Sequence, residues 1–459
     1  MITVPDEIAL DLHQVAAYDK LTAEHGGIVW MNVGEGKTRV ALLAAHSIII
    51  DDDYNLIVVI ARRAAFYDWK IEIATLQLPF NVFESEELPL NFRFEGKTIV
   101  LISEGKLLDP LTRDRLCEWH RGGHIGCFII DEGWLYKNPD AQRSKVLRPL
   151  VELHPTVVLS GTIMTARNLV DVYGQVAISG HAKTLGKTLT DFRRKYQTGI
   201  ANMGYPGSSW YPKPGSYKAI MDAIAPFTYL HMPAAHRVET RSILIKTESL
   251  PSQRKLLTEL KETAAIEGAF ELKNMANIVT KAQQISDGWL KADDGNVKHF
   301  ESGKVNRLEA LVEELLQTEY KMVVWCAFRE DINRLAHLTD LFKVKVATLQ
   351  SGEVFDSTLW QRASCRICLA TEASGSSVNH FAQVPYAIYF SQDFKWHSLQ
   401  QSAGRHTRRS SLHSVAYNIF LHSDKPSLDA QVYWTVRKSM HSEKSFIQAL
   451  DVKQWIESK

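Results

Sequence analysis

The sequence predicts an α/β protein of two consecutive domains, each built around a parallel β-sheet. In the first third of the chain, short runs rich in Val and Ile alternate with segments of helical length. The same alternation returns after about residue 320. A length of 459 residues corresponds to about two to four folding units. We therefore predict domains at residues 1–235 and 236–459.

Five apolar runs are the candidate strands of the first domain. Buried parallel strands are continuously apolar, and their alternation with helices favours a doubly wound sheet. The predicted strands are Ile28–Asn32, Leu56–Ala61, Thr98–Ile102, Phe128–Asp131 and Thr156–Ser160. The predicted helices are Thr38–Ile50, Ala64–Leu78, Leu111–Arg121 and Asp140–Leu153.

The alternation stops between about His181 and Pro233. Residues 204–215 are rich in Pro, Gly and aromatic side chains, which predicts an irregular loop. We interpret the whole stretch as an irregular and helical excursion between the two domains.

The second domain begins with a predicted strand and two helical stretches, one ending near Ile285 and one from Lys304 to Glu319. The alternation then resumes. The predicted strands are Arg241–Thr247, Met322–Ala327, Lys345–Leu349, Ile367–Thr371, Ala387–Ser391 and Val415–Leu421.

Composition excludes several classes of protein. The 53 Lys and Arg against 52 Asp and Glu give a net charge of +1, which excludes a uniformly basic nucleic-acid coat protein. Five cysteines indicate a reducing compartment rather than a disulfide framework. No apolar run approaches the roughly 18–20 residues that span a bilayer, and the first residues lack a signal-peptide pattern. We expect a cytoplasmic protein.

The strongest motif is the segment Gly34-Glu35-Gly36-Lys37-Thr38, which follows a predicted strand and opens a predicted helix. Glycines let the backbone curve around phosphates, the helix N-terminus supplies N–H donors, and the lysine reaches the terminal phosphates. The motif therefore predicts a phosphate-binding loop.

The second motif is an acidic pair, Asp131 and Glu132, at the end of an apolar strand. Carboxylates suit Mg²⁺, and a second carboxylate can activate water for phosphoryl transfer. Following a phosphate loop in the same sheet, the pair predicts a Mg²⁺ site in which Asp131 holds the metal and Glu132 polarises the attacking water.

A third motif, Gly404-Arg405-x-x-Arg408, places two arginines about one helical turn apart. Guanidinium groups bind phosphate oxygens in bidentate fashion. Such arginine fingers accelerate phosphoryl transfer by about 10³–10⁵-fold.

The order of these motifs resembles that of superfamily 2 helicases and translocases, most closely the Swi/Snf-like DNA-dependent ATPases. The resemblance covers about residues 8–440. The matching residues are Leu10 and Gln14, Gly34 to Thr38, Trp69 and Glu72, Asp131 to Trp134 with Lys137 and Asn138, Ser160 to Thr162, Gly375 and Asn379, Asp393 and Trp396, and Gln401 to Arg408.

The resemblance implies two RecA-like domains with ATP and Mg²⁺ between them, and movement on DNA. It implies that Gln14 reads adenine and that the nucleotide is bound by Gly34, Glu35, Gly36, Lys37, Thr38 and Gly375. It implies that Thr38 and Asp131 hold Mg²⁺ and that Glu132 activates water. It further implies that Arg405 and Arg408 are the arginine fingers. It also implies duplex or branched DNA as the partner, with little sequence preference, and associated replication, recombination or repair proteins.

Three residues depart from the family's pattern. Trp134 replaces the usual histidine, Ile163 the usual proline, and Met31 the usual small residue. In the family these positions couple the ATP state to DNA binding more than they perform hydrolysis. We expect a compact motor of phage or bacterial type.

Two alternatives remain open. One is a helicase that remodels branched DNA or migrates junctions. The other, of a different class, is a nucleotide-gated clamp that holds DNA or a partner without translocating. The intact Glu132, Arg405 and Arg408 argue against the clamp, because a protein that does not hydrolyse ATP has no use for all three.

Overall fold

A computed structural model shows two compact units, which lie within residues 10–231 and 238–437. The residues that the structure describes are 10–32, 34–50, 54–89, 92–164, 168–201, 208–231, 238–263, 265–266, 270–271, 275–350, 355–372, 374, 381–393, 396–407, 411–424, 429, 432–434 and 436–437. The boundary near residue 235 was predicted from the alternation alone and stays a prediction.

Unit 1 is built on a seven-stranded sheet in the order β3-β4-β2-β5-β6-β1-β9, in which all neighbours are parallel. A separate two-stranded antiparallel hairpin, β7–β8, comes between β6 and β9 in the chain. The strands are β1 Gly27–Met31, β2 Leu56–Ala61, β3 Asn81–Glu84, β4 Thr98–Ser103, β5 Ile125–Ile130, β6 Thr156–Ser160, β7 Gln197–Ala201, β8 Ser208–Pro212 and β9 Thr228–His231. The helices are α1 Leu12–Ala23, α2 Lys37–Ile50, α3 Phe66–Thr75, α4 Pro110–Arg121, α5 Gln142–Val151, α6 Leu169–Ile178, α7 Ala182–Leu185, α8 Leu189–Tyr196 and α9 Ser216–Ile224.

The central strands of unit 1 are buried on both faces. Alternate residues of one strand belong to different apolar clusters: Val58 and Ile60 pack on one face of β2, and Ile57 and Val59 on the other. Side chains of successive strand residues point to opposite faces, so a strand between two helical layers must be apolar throughout. This confirms the α/β fold class predicted from the continuous apolar runs.

Unit 2 has a six-stranded sheet in the order β10-β19-β18-β15-β17-β16, again parallel throughout. Two small antiparallel hairpins, β11–β12 and β13–β14, come between β10 and β15 in the chain. The strands are β10 Glu239–Thr247, β11 Ala265–Ile266, β12 Phe270–Glu271, β13 Trp289–Lys291, β14 Val297–His299, β15 Met322–Cys326, β16 Lys345–Leu349, β17 Cys365–Thr371, β18 Tyr386–Tyr389 and β19 Val415–Ser423. The helices are α10 Pro251–Thr263, α11 Met275–Asp287, α12 Gly303–Leu316, α13 Arg329–Leu335, α14 Leu338–Phe342, α15 Ser357–Gln361 and α16 Trp396–Ala403.

The excursion after His181 is more regular than predicted. Trp210, expected in an irregular loop, lies on β8, where its ring packs against Gly199 of β7. The Arg193 guanidinium lies 5.3 Å from the centre of the Trp210 ring. The excursion then returns to the main sheet as β9, which pairs with β1. The prediction of an irregular loop at Trp210 was therefore wrong, because the hairpin pairing and the stacked arginine order the aromatic residues.

The five cysteines carry no disulfide. Cys127, Cys326, Cys365 and Cys368 are buried, and Cys117 on α4 is half-buried. Burial raises the pKa of the thiols of Cys127, Cys326 and Cys368. Cys365 and Cys368 lie on β17 as a part of the core.

None of the described helices is long and apolar enough to cross a membrane.

A buried ion cluster fixes α11 and α12 in unit 2. Lys304, at the start of α12, is 2.7 Å from Asp287 at the end of α11 and 2.7 Å from Asp429. Lys304 and Asp287 are both almost wholly buried. Burial raises the pKa of Asp287, and the Lys304 ammonium opposes that rise. Removing the lysine would leave two carboxylates in an apolar environment.

We therefore predict that Lys304→Met destabilises unit 2 by about 3–5 kcal/mol, the usual cost of breaking a buried pair on one side. Urea unfolding, followed by hydrogen-exchange mass spectrometry on β18 and β19 peptides, measures the change. Glu314→Gln on the same helix is the control, since its pair with Arg307 is exposed and contributes at most about 1 kcal/mol. Equal stability of Lys304→Met and the control would contradict the prediction.

Candidate active site

The phosphate-loop motif lies between β1 and α2, as predicted. Gly34 and Gly36 have φ values of 87° and 80°, in the left-handed region that favours glycine. The Lys37 ammonium donates hydrogen bonds to the carbonyl oxygens of Met31 and Asn32, both at 2.9 Å. The lysine therefore lies across its own loop, where a phosphate oxygen could replace the two carbonyls.

Gln14 contacts the phosphate loop. Its Nε2 donates to the Glu35 carbonyl at 3.1 Å, and its Oε1 accepts from the Asp11 N–H at 3.1 Å. A Cβ atom on Gly36 would lie 2.2 Å from the Gln14 Nε2. Gln14 thus joins the first turn of α1 to the loop, and its adenine-reading role stays a prediction.

Asp131 follows β5, one residue beyond the strand's end rather than on it as predicted. Its Oδ2 accepts from the Trp69 indole at 3.4 Å, and its Oδ1 from the Glu132 N–H at 2.9 Å. Removal of the carboxylate from water, helped by the negative charge of Glu132, raises the pKa of Asp131 to about 6. The Lys37 ammonium opposes this rise, so the loop and the acidic pair act on each other electrostatically.

Glu132 adopts a left-handed backbone conformation, with φ of 52°. Its Oε2 accepts a hydrogen bond from the Trp134 indole at 2.7 Å. The Trp134 ring is buried, and the Arg62 guanidinium lies 5.6 Å from its centre. Trp134 therefore donates a hydrogen bond to the second carboxylate of the pair.

The residues present fit a divalent cation. The two adjacent carboxylates of Asp131 and Glu132 are half-buried at the end of β5, with the Lys37 ammonium as an opposing charge near Asp131. A hard cation with oxygen ligands would compensate the charge of these carboxylates. Asp131 and the hydroxyl of Thr38, in the first turn of α2, are the residues that would hold it.

Glu72, from the same motif as Trp69, forms an ion pair with Arg39 at 2.6 Å. Arg39 lies on α2, two residues after Lys37, so the pair ties the helix behind the phosphate loop to α3. Glu72 was identified from the sequence, but its partner Arg39 was not. The sequence shows opposite charges on two predicted helices. Their separation along the chain does not reveal that the two side chains meet.

The Ser160-Gly161-Thr162 motif lies at the end of β6 and is held by Gln175. The Gln175 Nε2 donates to the carbonyls of Thr162 at 3.2 Å and Ile163 at 2.7 Å, while its Oε1 accepts from the Trp30 indole at 2.9 Å. Both Trp30 and Gln175 are fully buried. The Gln175 amide therefore links β1, which leads into the phosphate loop, to the loop after β6. This role of Gln175 was not predicted from the sequence.

The predicted site residues of unit 2 are placed only in part. Gly375 and Arg408 lie outside the residues that the structure describes. Arg405 is buried, just after α16. Asp393 accepts from the Ser398 hydroxyl at 3.0 Å, and its N–H donates to Glu372 at 3.1 Å.

His406, next to Arg405, is fully buried. Its carbonyl accepts hydrogen bonds from the His413 Nε2 at 2.7 Å and from the Ser411 hydroxyl at 3.0 Å. Burial, followed by the neighbouring His413, lowers the pKa of His406 to about 4. The imidazole is therefore neutral in the folded protein at neutral pH.

We predict that acid destabilises unit 2 through His406. Below the unfolded pKa of about 6.5 the unfolded chain binds a proton that the folded chain does not, so stability falls as pH drops from about 6.5 towards 4. The full effect is about 3 kcal/mol. His406→Gln should lose less stability than the parent chain between pH 7 and 5, measured by urea unfolding with exchange on β19 peptides. Parallel pH profiles for the two proteins would contradict the prediction.

No family model and no curated protein matches the chain. A search of solved structures gives the Sulfolobus solfataricus SWI2/SNF2 ATPase core in complex with dsDNA, at 17% identity and a TM-score of 0.42, covering 100% of this chain and 97% of that one.

Proposed function

We propose that the protein is a DNA-dependent ATPase that couples ATP hydrolysis to movement on DNA. The observation that carries the proposal is the convergence of three motifs at one edge of the unit 1 sheet. The acidic pair, the Ser-Gly-Thr loop and the phosphate loop follow β5, β6 and β1, which are neighbours in the sheet. Parallel strands bring their carboxyl ends to one edge, where α/β sheets bind ligands.

The roles that we propose for the unit 1 residues rest on the motif resemblance, and their positions are consistent with it. Lys37 exchanges its carbonyl partners for phosphate oxygens, while the N–H groups of Gly34, Glu35 and Gly36 line the loop. Asp131 and Thr38 would hold Mg²⁺, which would neutralise phosphate charge. Glu132 accepts a proton from the attacking water. Gln14 lies beside the loop, where it reads adenine after exchanging one of its hydrogen bonds.

For unit 2 we propose that Arg405 and Arg408 stabilise the charge that develops on the transferred phosphoryl group, and that Gly375 contributes to nucleotide binding. These roles rest on the motif resemblance. The burial of Arg405 supports a positioned rather than a solvated guanidinium. The source in phage or bacteria stays a prediction.

The clamp alternative has one observation in its favour. The Trp134 indole donates a hydrogen bond to one oxygen of Glu132, so that oxygen cannot accept a proton from water while the bond persists. If this bond disables Glu132, the protein binds ATP without turnover, and Trp134→Phe restores hydrolysis. If the parent chain hydrolyses ATP and Trp134→Phe loses that turnover, the result supports the ATPase.

We predict that Glu132→Gln binds ATP but loses at least about 100-fold in turnover, because it removes the base and leaves the phosphate loop intact. Lys37→Ala should lose both turnover and nucleotide affinity. Phosphate release and fluorescent-nucleotide binding measure the two effects. Glu118→Gln, an exposed carboxylate on α4, is the control. Hydrolysis by Glu132→Gln at the parental rate would show that another group activates water.

We predict that Arg408→Ala binds ATP within a few-fold of the parent chain but hydrolyses it at least about 100-fold more slowly, since a finger stabilises the transition state more than bound ATP. Arg121→Ala, an exposed arginine at the end of α4, is the control. The same assays apply. A loss of nucleotide affinity that accounts for the whole loss of activity would contradict the finger role.

We predict that duplex or branched DNA raises turnover well above the basal rate, with little dependence on sequence. No described element resembles a base-reading module, so contacts should be mostly to the backbone and activation should fall as salt rises. Turnover is measured against DNA length, structure and salt, and triplex displacement reports movement. A preference for forks or four-way junctions selects the branched-DNA alternative. Stimulation by RNA and not by DNA would overturn the choice of partner.

A further inference from the structure

Three side chains that can bind a metal meet beside the phosphate loop. His13 comes from α1, Glu35 from the loop and His231 from the end of β9. One potential ligand atom of each lies within 4.8 Å of the others. The His13 Nε2 is 3.3 Å from the Glu35 Oε2, and both side chains are mostly buried, at 13% and 15% exposure. The sequence analysis gave no metal role to any of the 17 histidines.

We propose that His13, Glu35 and His231 form a transition-metal site, selective for Zn²⁺ over Mg²⁺. Two imidazoles and one carboxylate are ligands of borderline ions such as Zn²⁺, Co²⁺ and Ni²⁺, whereas Mg²⁺ takes oxygen ligands. Three protein ligands leave a fourth position of a tetrahedral ion for water or another group. The site is separate from Asp131 and Thr38, which hold Mg²⁺ in the proposed function.

The histidine rings show what binding requires. They are stacked, with centroids 4.3 Å apart and planes 13° apart. A metal ion lies in the plane of each imidazole that binds it, so at least one ring must turn about its Cβ–Cγ bond. Tetrahedral bonds of about 2.0–2.1 Å place ligand atoms about 3.4 Å apart. The three side chains are thus close to the required spacing and need a ring rotation rather than a backbone change.

Binding also moves a proton. The His13 Nε2 lies 3.2 Å from the Glu35 carbonyl oxygen, which can only accept, so that nitrogen carries a hydrogen in this arrangement. A metal ligand must be unprotonated. When the ion binds, the Nε2 proton leaves to solvent or the ring adopts the Nδ1–H tautomer.

The three ligands come from separate elements, so a bound ion cross-links them. Glu35 lies between Gly34 and Gly36, which both have positive φ and give the loop its curved path. His231 pairs in register with Met31, whose carbonyl accepts from Lys37. The ion would fix Glu35 against α1 and β9 and hold the loop in the arrangement seen here. We infer that Zn²⁺ lowers nucleotide affinity, a consequence that rests on the proposed function, whereas the metal site does not.

The test of the site uses the full, untagged chain after metal removal and needs no nucleotide. Calorimetric titration with Zn²⁺ should show one equivalent of binding, and Co²⁺ should give the visible absorption of a tetrahedral complex. His13→Gln, His231→Gln and Glu35→Gln should each weaken Zn²⁺ binding more than about tenfold, since even changes behind the ligands cost about 10–100-fold. Circular dichroism confirms that each variant is folded, and any one folded variant suffices.

The matched control is His154→Ala. His154 Nε2 lies 2.8 Å from His120 Nδ1 in the same unit, so this variant removes one of another close histidine pair. It should bind Zn²⁺ as the parent chain does. Absence of stoichiometric binding at neutral pH, unchanged affinity in the ligand variants, or an equal loss in His154→Ala would each overturn the site.

A second experiment, on nucleotide binding, tests the effect of Zn²⁺ on nucleotide affinity separately from the metal site itself. Fluorescent-nucleotide affinity is measured with and without Zn²⁺, at a free concentration held by a metal buffer, in the parent chain and in His231→Gln. Zn²⁺ should weaken binding several-fold in the parent chain only. The same effect in both proteins would overturn the coupling. Absence of nucleotide binding in both would overturn the proposed function, while the Zn²⁺ titration would still decide the site.

Discussion

The central strands of unit 1 are buried on both faces, and this constraint places the candidate site. A strand with helices above and below offers no position for a charged side chain along its length, so polar groups collect where strands end. Because the strands are parallel, those ends lie together. Lys37, Asp131 and Thr162 come from distant parts of the chain and reach one edge because β1, β5 and β6 are neighbours. The core thus determines where chemistry can occur.

The hydrogen bonds around the acidic pair orient it without neutralising it. Trp69 donates to Asp131 and Trp134 donates to Glu132, and both donors are uncharged indoles. An arginine in either position would fix the carboxylate equally well but would cancel its charge. Indole donors leave the negative charge in place, and this fits a site whose partner is a cation. The carboxylate of Glu72 differs from those of Asp131 and Glu132, because it is paired with the positively charged Arg39 and has a structural role.

The sequence predicted the parts of the fold that depend on continuous apolar runs. Leu56–Ala61, Thr156–Ser160 and Lys345–Leu349 were predicted to the residue, and the phosphate loop was placed correctly between its strand and helix. The short edge strands β3 and β9 were missed, because four residues with one solvated face give almost no apolar signal.

For the site, motif spacing identified residues but not the contacts between them. Gln175 holds the loop after β6 through two carbonyls, and no pattern in α6 distinguishes this glutamine from a surface one. His231 meets His13 only because β9 returns to the sheet beside β1. Such contacts depend on strand order, which the sequence of one chain does not specify.

The placement of the cysteines has a practical consequence. Four of the five thiols lie on buried strands, and burial keeps them protonated and out of reach of water-soluble reagents. Only Cys117, on α4, combines partial exposure with an ordinary helical position. Towards a hydrophilic maleimide the native chain should therefore behave as a single-cysteine protein. A dye could be attached to unit 1 without removing any other thiol, and the sheets would keep their native cores.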